Sequence, residues 1–154
     1  MAVLNPEQLQ GSIQIASPAA GEKLKCKLEA NGGFFELRGT SKGIDSNRTL
    51  VLFVDPNDPG TYGWFVQLDP NGVDLSSDGT WVAHGQIGNK DYLPKNGKTI
   101  HLILRALRKE EADDLIKPRL ADPRRANEGI RPQNIPTTPP GLSNELRDVE
   151  LEVK

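Results

Sequence analysis

The chain of 154 residues has little of the chemistry that many enzymes use: one cysteine, two histidines and eight aromatic residues. A single cysteine excludes an internal disulfide, and a zinc site normally needs several closely spaced Cys or His ligands. A formal net charge of −2 lacks the basic excess that is typical of proteins binding nucleic acid or anionic membranes. We therefore expect no cofactor, no metal, no nucleic-acid partner and no membrane partner.

Long apolar runs and a targeting signal are also missing. No run approaches the roughly 20 apolar residues that are needed to cross a bilayer. The first ten residues have neither the basic start nor the apolar centre of a secretory signal peptide. We expect a cytoplasmic protein, or part of a virion if a phage encodes it.

What the sequence does contain is short alternating segments separated by turn residues, with 15 glycines and 12 prolines. Between Thr99 and Leu107 the even-numbered residues are apolar, whereas the odd-numbered set includes His101, Ile103 and Arg105. Side chains alternate across a strand, so this pattern predicts a strand in a sheet with one apolar face.

Similar signals recur along the chain. Strands are predicted at Ser12–Ile15, Lys23–Leu28, Phe34–Thr40, Leu50–Val54, Tyr62–Leu68, around Trp81, at Thr99–Leu107 and at Asp148–Lys154. The continuous apolar run Leu50–Val54 indicates a central strand, and we expect Trp81 in the core. Short strands with frequent turn signals are typical of an all-β protein with an Ig-like antiparallel β-sandwich.

The last third of the chain differs in composition. Lys109–Lys117 is predicted as a short helix, because its first turn is acidic and Pro118 should end it. Residues 118–145, here called the arm, are rich in proline and arginine, and we expect them to be extended. The predicted organisation is an N-terminal arm at 1–11, a sandwich with its helix at 12–117, the arm, and a final strand at 146–154 that returns to the sandwich.

The order of several short motifs resembles a known family. The motifs are Ser17-Pro18-Ala19-Ala20-Gly21, Arg38-Gly39-Thr40, Asp78-Gly79-Thr80-Trp81 and the strand ending in Leu104-Arg105-Ala106. They resemble Ig-like modules of cyanobacteria and other bacteria, which are attached to or encoded beside signalling and surface proteins. The resemblance covers roughly residues 12–117 and the last strand; it implies the fold but no catalytic or ligand residue. A chain that starts at Met1 and holds little else would be a free-standing module.

Two kinds of functional site, a nucleophilic dyad and a calcium site, compete with simpler interpretations. A nucleophilic dyad would need Cys26 beside His84 or His101. Because Cys26 alternates with Leu24 and Leu28, which are predicted to point inward, we interpret it as a core residue and both histidines as surface residues.

Calcium is the other possibility. The loops at 55–60 and 69–78 contain Asp and Asn, but Val66 occupies the position where an EF-hand needs a bidentate Glu. Asp and Asn beside Pro and Gly are ordinary turn formers.

The arm offers the most suggestive candidates for binding. Arg119, Arg124, Arg125 and Arg131 lie within one stretch, and arginine is enriched at protein interfaces. Tyr62 and Trp64 follow a loop, where they would stack on a sugar or anchor a partner, or else fill the core.

We therefore expect a non-catalytic protein–protein interaction or assembly subunit, an accessory component of a larger bacterial complex. Its partners would be other protein chains, including several copies of itself, contacted by the arm or by sheet edges. One alternative is a phage structural protein, such as a capsid decoration or tail component. A second is a carbohydrate-binding module, which should present Tyr62 and Trp64 as an exposed platform.

Overall fold

The computed structural model describes residues 12–57, 63–68, 71–125, 128–139 and 141–154. These residues are mostly β-structure with one α-helix, so the predicted all-β class is confirmed. The described strands are β1 (Ser12–Ser17), β2 (Leu24–Glu29), β3 (Gly32–Lys42), β4 (Arg48–Asp55), β5 (Phe65–Val66), β6 (Gly72–Leu75), β7 (Thr80–Ile87), β8 (Thr99–Arg108) and β9 (Ser143–Val153). The helix α1 spans Lys109–Ala121, and 3-10 turns lie at Pro123–Arg125 and Pro132–Asn134.

The strands form one continuous curled sheet in the order β5-β4-β8-β9-β2-β3-β7-β6, and β1 pairs with β3. Strand β9 joins the two halves, since it pairs antiparallel with β8 and its last residues, Leu151 to Val153, pair in parallel with β2. The result is a curled half-barrel rather than a clear two-layer sandwich.

The joint in β9 lies at Asp148, where the pairing with β8 shifts register. Asp148 has a φ of 58°, a left-handed conformation that Asp tolerates better than most residues. A bulge of this kind bends a strand and re-aims its side chains. After the bulge, β9 pairs with β8 as far as Glu150 and then continues beside β2.

The first core fills the inside of the curl. Leu37 and Trp81 from one half meet Leu52 and Leu102 from the other, and all four are almost completely buried. The indole nitrogen of Trp81 donates to the carbonyl of Thr40 at 3.1 Å, which satisfies its only polar atom. The core position predicted for Trp81 is confirmed.

A second core lies on the opposite face of β4 and β8, which for β8 the sequence pattern predicts to be mostly polar. Phe53, Ile103 and Leu107 are buried there beneath α1 and the arm. The other members of this core are Val51, Trp64, Val66, Ala112, Ile130 and Ile135. The expectation of a single apolar face is therefore wrong for β8, because the chain folds back over its outer side. Strand β4 is buried on both faces, as its continuous apolar run predicts.

Helix α1 continues past the residue that should end it. A proline inside a helix lacks one N–H and so removes one backbone hydrogen bond, here to the carbonyl four residues earlier. The helix nevertheless extends to Ala121, with Pro118 inside it. The side chain of Arg119 in the last turn donates hydrogen bonds to the carbonyls of Leu115 and Glu128, which holds this turn in place. The final strand also begins earlier than predicted, at Ser143.

Candidate functional site

The described part of the arm lies against its own domain. Trp64 and Ile130 exchange two backbone hydrogen bonds of 2.7 Å, so Ile130 extends the edge of the sheet beside β5. Gly63 makes this approach possible: its φ is 91°, and a Cβ atom there would lie 2.6 Å from the carbonyl oxygen of Ile130. The contact is an intramolecular form of strand addition.

A second attachment lies further along the arm. The side chain of Ile135 is buried in the second core. One residue later, the carbonyl of Pro136 accepts a hydrogen bond of 2.9 Å from Nη1 of Arg105 on β8. The arm thus crosses the outer face of the sheet and is fixed at two points.

Arg119 is part of this attachment. The sequence interpretation puts it on an exposed arm, but it lies in α1 with only 7% of its surface exposed. Its Nη1 donates to the carbonyl of Leu115 at 2.7 Å, and its Nε and Nη2 lie 3.4 Å from the carbonyl of Glu128. Burial lowers the pKa of the guanidinium from its ordinary value. Arg119 therefore ties the helix to the arm and is not presented to a partner.

The other arginines of the arm are exposed. Arg124 pairs with Asp122 at 3.2 Å, and its hydrogen bonds lower the pKa of that carboxyl. Arg125 pairs with Glu128 at 3.2 Å. Arg131 precedes the second 3-10 turn. Two of these three cations are thus balanced by neighbouring acids, and their role in binding stays a prediction.

The expected aromatic platform lacks one of its two members. Trp64 is 7% exposed and belongs to the second core, so it offers no open ring face for a sugar. Tyr62 lies outside the described residues. The carbohydrate alternative therefore loses the residue on which its platform depends.

A polar cluster lies at the end of β4. His101 on β8 has its Nδ1 3.3 Å from Oδ2 of Asp55 and its Nε2 3.2 Å from Oδ1 of Asp148. The imidazole ring also lies near Trp64, with ring centroids 6.4 Å apart. Because Asp148 is the joint residue of β9, this histidine on β8 connects the joint to the end of β4, which is a structural role.

No nucleophilic dyad is assembled from the cysteine and the histidines. Cys26 is buried in the first core, and burial raises the pKa of its thiol, so the predicted core position is confirmed. His84 points to the outer face of β7, where its Nε2 lies 3.3 Å from Glu36, and His101 lies on the outer face of β8. The thiol and the imidazoles are on opposite faces of the sheet.

The residues considered for calcium behave as turn formers where they are described. Oδ1 of Asp78 accepts hydrogen bonds from the backbone and hydroxyl of Thr80, which lower the pKa of its carboxyl. Oδ1 of Asp55 accepts the N–H of Asn57 in the same way. Among the described residues, no group of three or more His, Cys, Asp or Glu side chains is arranged to hold a metal ion.

The most distinctive surface is a group of large apolar side chains at one end of the sheet, here called the apolar end: Leu28, Tyr92 and Leu93. They are 36%, 54% and 40% exposed. Leu28 is the cross-strand neighbour of Gly33. A Cβ atom on Gly33 would lie 2.5 Å from Cγ of Pro94, so the loop after β7 folds directly over this pair of strands.

The loop that carries Tyr92 and Leu93 is held in a tight turn. Asn89 and Tyr92 exchange backbone hydrogen bonds of 3.0 and 3.1 Å. Pro94 is buried under the turn, whereas the two residues before it are exposed. Gly88 has a φ of 75° and packs closely on the carbonyl of Tyr92. The turn therefore presents its apolar side chains outward on a fixed backbone.

Charged side chains lie beside the apolar end. Lys27, Lys90 and Lys95 are exposed in this region, together with the acidic residues Glu29 and Asp91. Glu29 lies 3.9 Å from Lys27, while Lys90 and Lys95 form no ion pair with any residue in the described ranges. An apolar centre with a charged rim is the usual anatomy of a protein interface.

Sequence reasoning missed this surface for two reasons. Leu28 does lie on the inward face of β2 with Leu24 and Cys26, but the strand continues beyond the core, which leaves Leu28 partly exposed. Tyr92 and Leu93 were available as a signal, since two large apolar residues stand within a loop that is otherwise rich in Gly, Asn and Lys.

Comparison with known proteins adds no assignment. No protein-family model matches the chain, and a search of curated proteins gives no match. The likeness to bacterial Ig-like modules therefore stays a resemblance. Within the part of the chain that the structure describes, no helix has the length and apolar character needed to cross a bilayer.

Proposed function

We propose that the protein is a non-catalytic interaction module that binds another protein chain through the apolar end. The observation that carries this proposal is the joint exposure of Leu28, Tyr92 and Leu93 beside a charged rim with more lysines than acids. Contiguous exposed apolar groups on an otherwise polar surface are typical of binding sites. Aromatic residues at the centre of such a patch commonly supply much of the binding energy.

The arm has a different part in this proposal from the one that its composition predicts. Its described residues cover the second core, so in this proposal the arm stabilises the module and is not the main surface that binds a partner chain. Arg124, Arg125 and Arg131 remain exposed and would contribute secondary, charge-dependent contacts.

For the finer fold we infer an Ig-like arrangement. The series β1-β3-β7-β6 and β5-β4-β8-β9 have the strand order of the A-B-E-D and C′-C-F-G sheets of Ig domains. In that correspondence α1 and the arm form the connection between F and G. Such a module would serve as an accessory subunit, and the resemblance makes a bacterial complex or a phage particle the assembly we expect.

The test compares two leucines of nearly equal exposure. Leu93 is 40% exposed at the apolar end, and Leu75 is 42% exposed on β6. Leu75 pairs with Trp81, which is six positions along β7 from Ile87 at the apolar end. The tagged wild type, Leu93→Ser and Leu75→Ser are expressed in the native host, and captured proteins are identified by mass spectrometry.

We expect the wild type and Leu75→Ser to capture the same partner and Leu93→Ser to lose it, while all three give the same circular dichroism. Equal capture by all three proteins would contradict the proposal. Loss with Leu75→Ser alone would move the interface to β6.

A further inference from the structure

We infer that one partner of the apolar end is a second copy of this chain, which docks by the outer face of its helix α1; this inference rests on the proposed function. The docking face, here called the acidic groove, is a shallow groove of about 530 Å³ lined by Glu110, Asp113, Asp114, Lys117, Pro118 and Ala121. Leu120, which is 51% exposed, lies one helical turn beyond Lys117.

The two surfaces are complementary in charge. The apolar end carries Lys27, Lys90 and Lys95 against Glu29 and Asp91, whereas the acidic groove presents three carboxylates against Lys117. Lys117 lies 3.3 Å from Asp113, and Arg108 lies 3.8 Å from Glu110, so the groove is partly neutralised.

Asp114 has no ion-pair partner among the described residues, and the same holds for the two loop lysines of the apolar end. Each surface therefore offers charges that no described residue of its own copy pairs. A contact between them would pair these charges around an apolar centre, which fixes the register of an interface.

Both surfaces also carry apolar groups. The apolar end contributes Leu28, Tyr92 and Leu93, and the helix contributes Pro118 and Leu120 beside the acidic groove. An interface needs both properties, since apolar burial supplies affinity and paired charges supply specificity.

The two surfaces lie on different parts of the molecule. The apolar end adjoins the start of β8, where the N–H of Gly97 donates to the carbonyl of Leu151. Helix α1 begins after Arg108, at the other end of this strand of ten residues. At about 3.3 Å per residue the strand spans about 30 Å. One copy therefore joins its apolar end to the acidic groove of the next copy, and the contact is head to tail.

A head-to-tail contact uses two different surfaces, so each added copy exposes a new docking site. Such contacts produce rings when the rotation closes and open filaments when it does not. The average mass in solution should rise with protein concentration and fall with added salt, because salt screens the exposed charges.

The experiment reverses the charges of each surface separately. One variant carries Lys90→Glu and Lys95→Glu, and the other carries Glu110→Lys and Asp114→Lys. Each is expected to self-associate at least about tenfold more weakly than the wild type, because like charges then face each other. Mixing the two variants puts opposite charges back on both kinds of contact, and association should return.

Sedimentation velocity measures the mass of each protein and of the mixture over a range of concentrations. A control variant with Lys42→Glu and Asp45→Lys, two exposed residues at the far end of β3, should behave like the wild type. Circular dichroism verifies that every variant is folded.

A monomeric wild type at all concentrations, or a mixture of variants that stays dissociated, would overturn the inference. Partner capture that depends on Leu93 without any self-association would leave the proposed function intact and remove only the second copy as the partner. If neither Leu93-dependent partner capture nor self-association is observed, the apolar end is not a binding surface.

Discussion

The outer face of β4 and β8 and the apolar end are both built from large apolar side chains, yet the chain covers only one of them. Phe53 and Leu107 have no exposed surface, whereas 54% of the surface of Tyr92 is exposed. The difference comes from the arm, which places Ile130 and Ile135 over the first region, whereas none of its described residues belongs to the second. The covered region therefore stabilises the fold, and the uncovered region is where we expect a partner.

The sharpest contrast is between truncations in the two regions. Phe53→Ala should lower the free energy of unfolding by about 3–5 kcal/mol, because it leaves a cavity in the second core. Leu93→Ala removes a partly exposed side chain and should change it by no more than about 0.5 kcal/mol. Urea denaturation followed by circular dichroism measures both. Similar losses for the two variants would show that the apolar end is part of the stabilising core.

A pair of glycines tests how the arm covers its face. Both Gly63 and Gly97 have positive φ, 91° and 83°, so alanine should cost about 1–2 kcal/mol at either position. A Cβ atom at Gly97 meets no atom within 4 Å, whereas one at Gly63 collides with the backbone of Ile130.

Gly63→Ala should therefore lower the free energy of unfolding by a further 1–3 kcal/mol or so, the usual cost of overpacking. Limited proteolysis should also cut the arm faster in Gly63→Ala than in Gly97→Ala. Equal stability and equal cleavage of the two variants would contradict the close contact between the arm and the sheet.

The third comparison is between a buried and an exposed arginine of the arm. Arg119→Met keeps the aliphatic stem but loses the bonds to the carbonyls of Leu115 and Glu128, and we expect a loss of about 1–2 kcal/mol. Arg124→Met removes only a surface ion pair with Asp122 and should cost less than about 0.5 kcal/mol. Thermal unfolding measures both, and a larger effect at Arg124 would reverse the assignment of roles.

The pattern of apolar residues and turn residues in the sequence predicts most of the fold. The alternation in β8, the apolar run in β4 and the turns around Gly21 and Gly79 predict the all-β class and the core position of Trp81. These features can be predicted locally, because the alternation of apolar and polar residues within one strand indicates which of its faces is buried.

The second core and the apolar end could not be predicted in this way. Ile130 and Ile135 are isolated apolar residues in a polar, proline-rich segment, and only their contacts with Trp64 and the sheet show that they are buried. Arg119 gives no local sign that its guanidinium bonds carbonyls. Likewise, the exposure of Leu28 depends on where the neighbouring strands end.

The smallest expected effect concerns the boundary between the first core and the apolar end. Cys26 and Leu28 lie two residues apart on one face of β2, but they are 2% and 36% exposed. Burial raises the pKa of the Cys26 thiol, which disfavours the reactive thiolate in the folded protein.

A thiol reagent should therefore modify native Cys26 at least about a hundredfold more slowly than a thiol placed by Leu28→Cys in a Cys26→Ser background. Leu28→Cys should alter stability by no more than about 1 kcal/mol, whereas Cys26→Ser buries a hydroxyl in the first core and should cost about 1–3 kcal/mol. Comparable rates would show that the core does not end between these two positions.

The most direct test of the whole account is site-specific photo-crosslinking in the native host. A photoreactive side chain is placed in turn at Leu93 in the apolar end, at Leu75 on β6 and at Arg124 in the arm. We predict protein adducts from position 93, few from 124 and none from 75. Strong adducts from 124 with none from 93 would contradict the account and make the arm the binding surface.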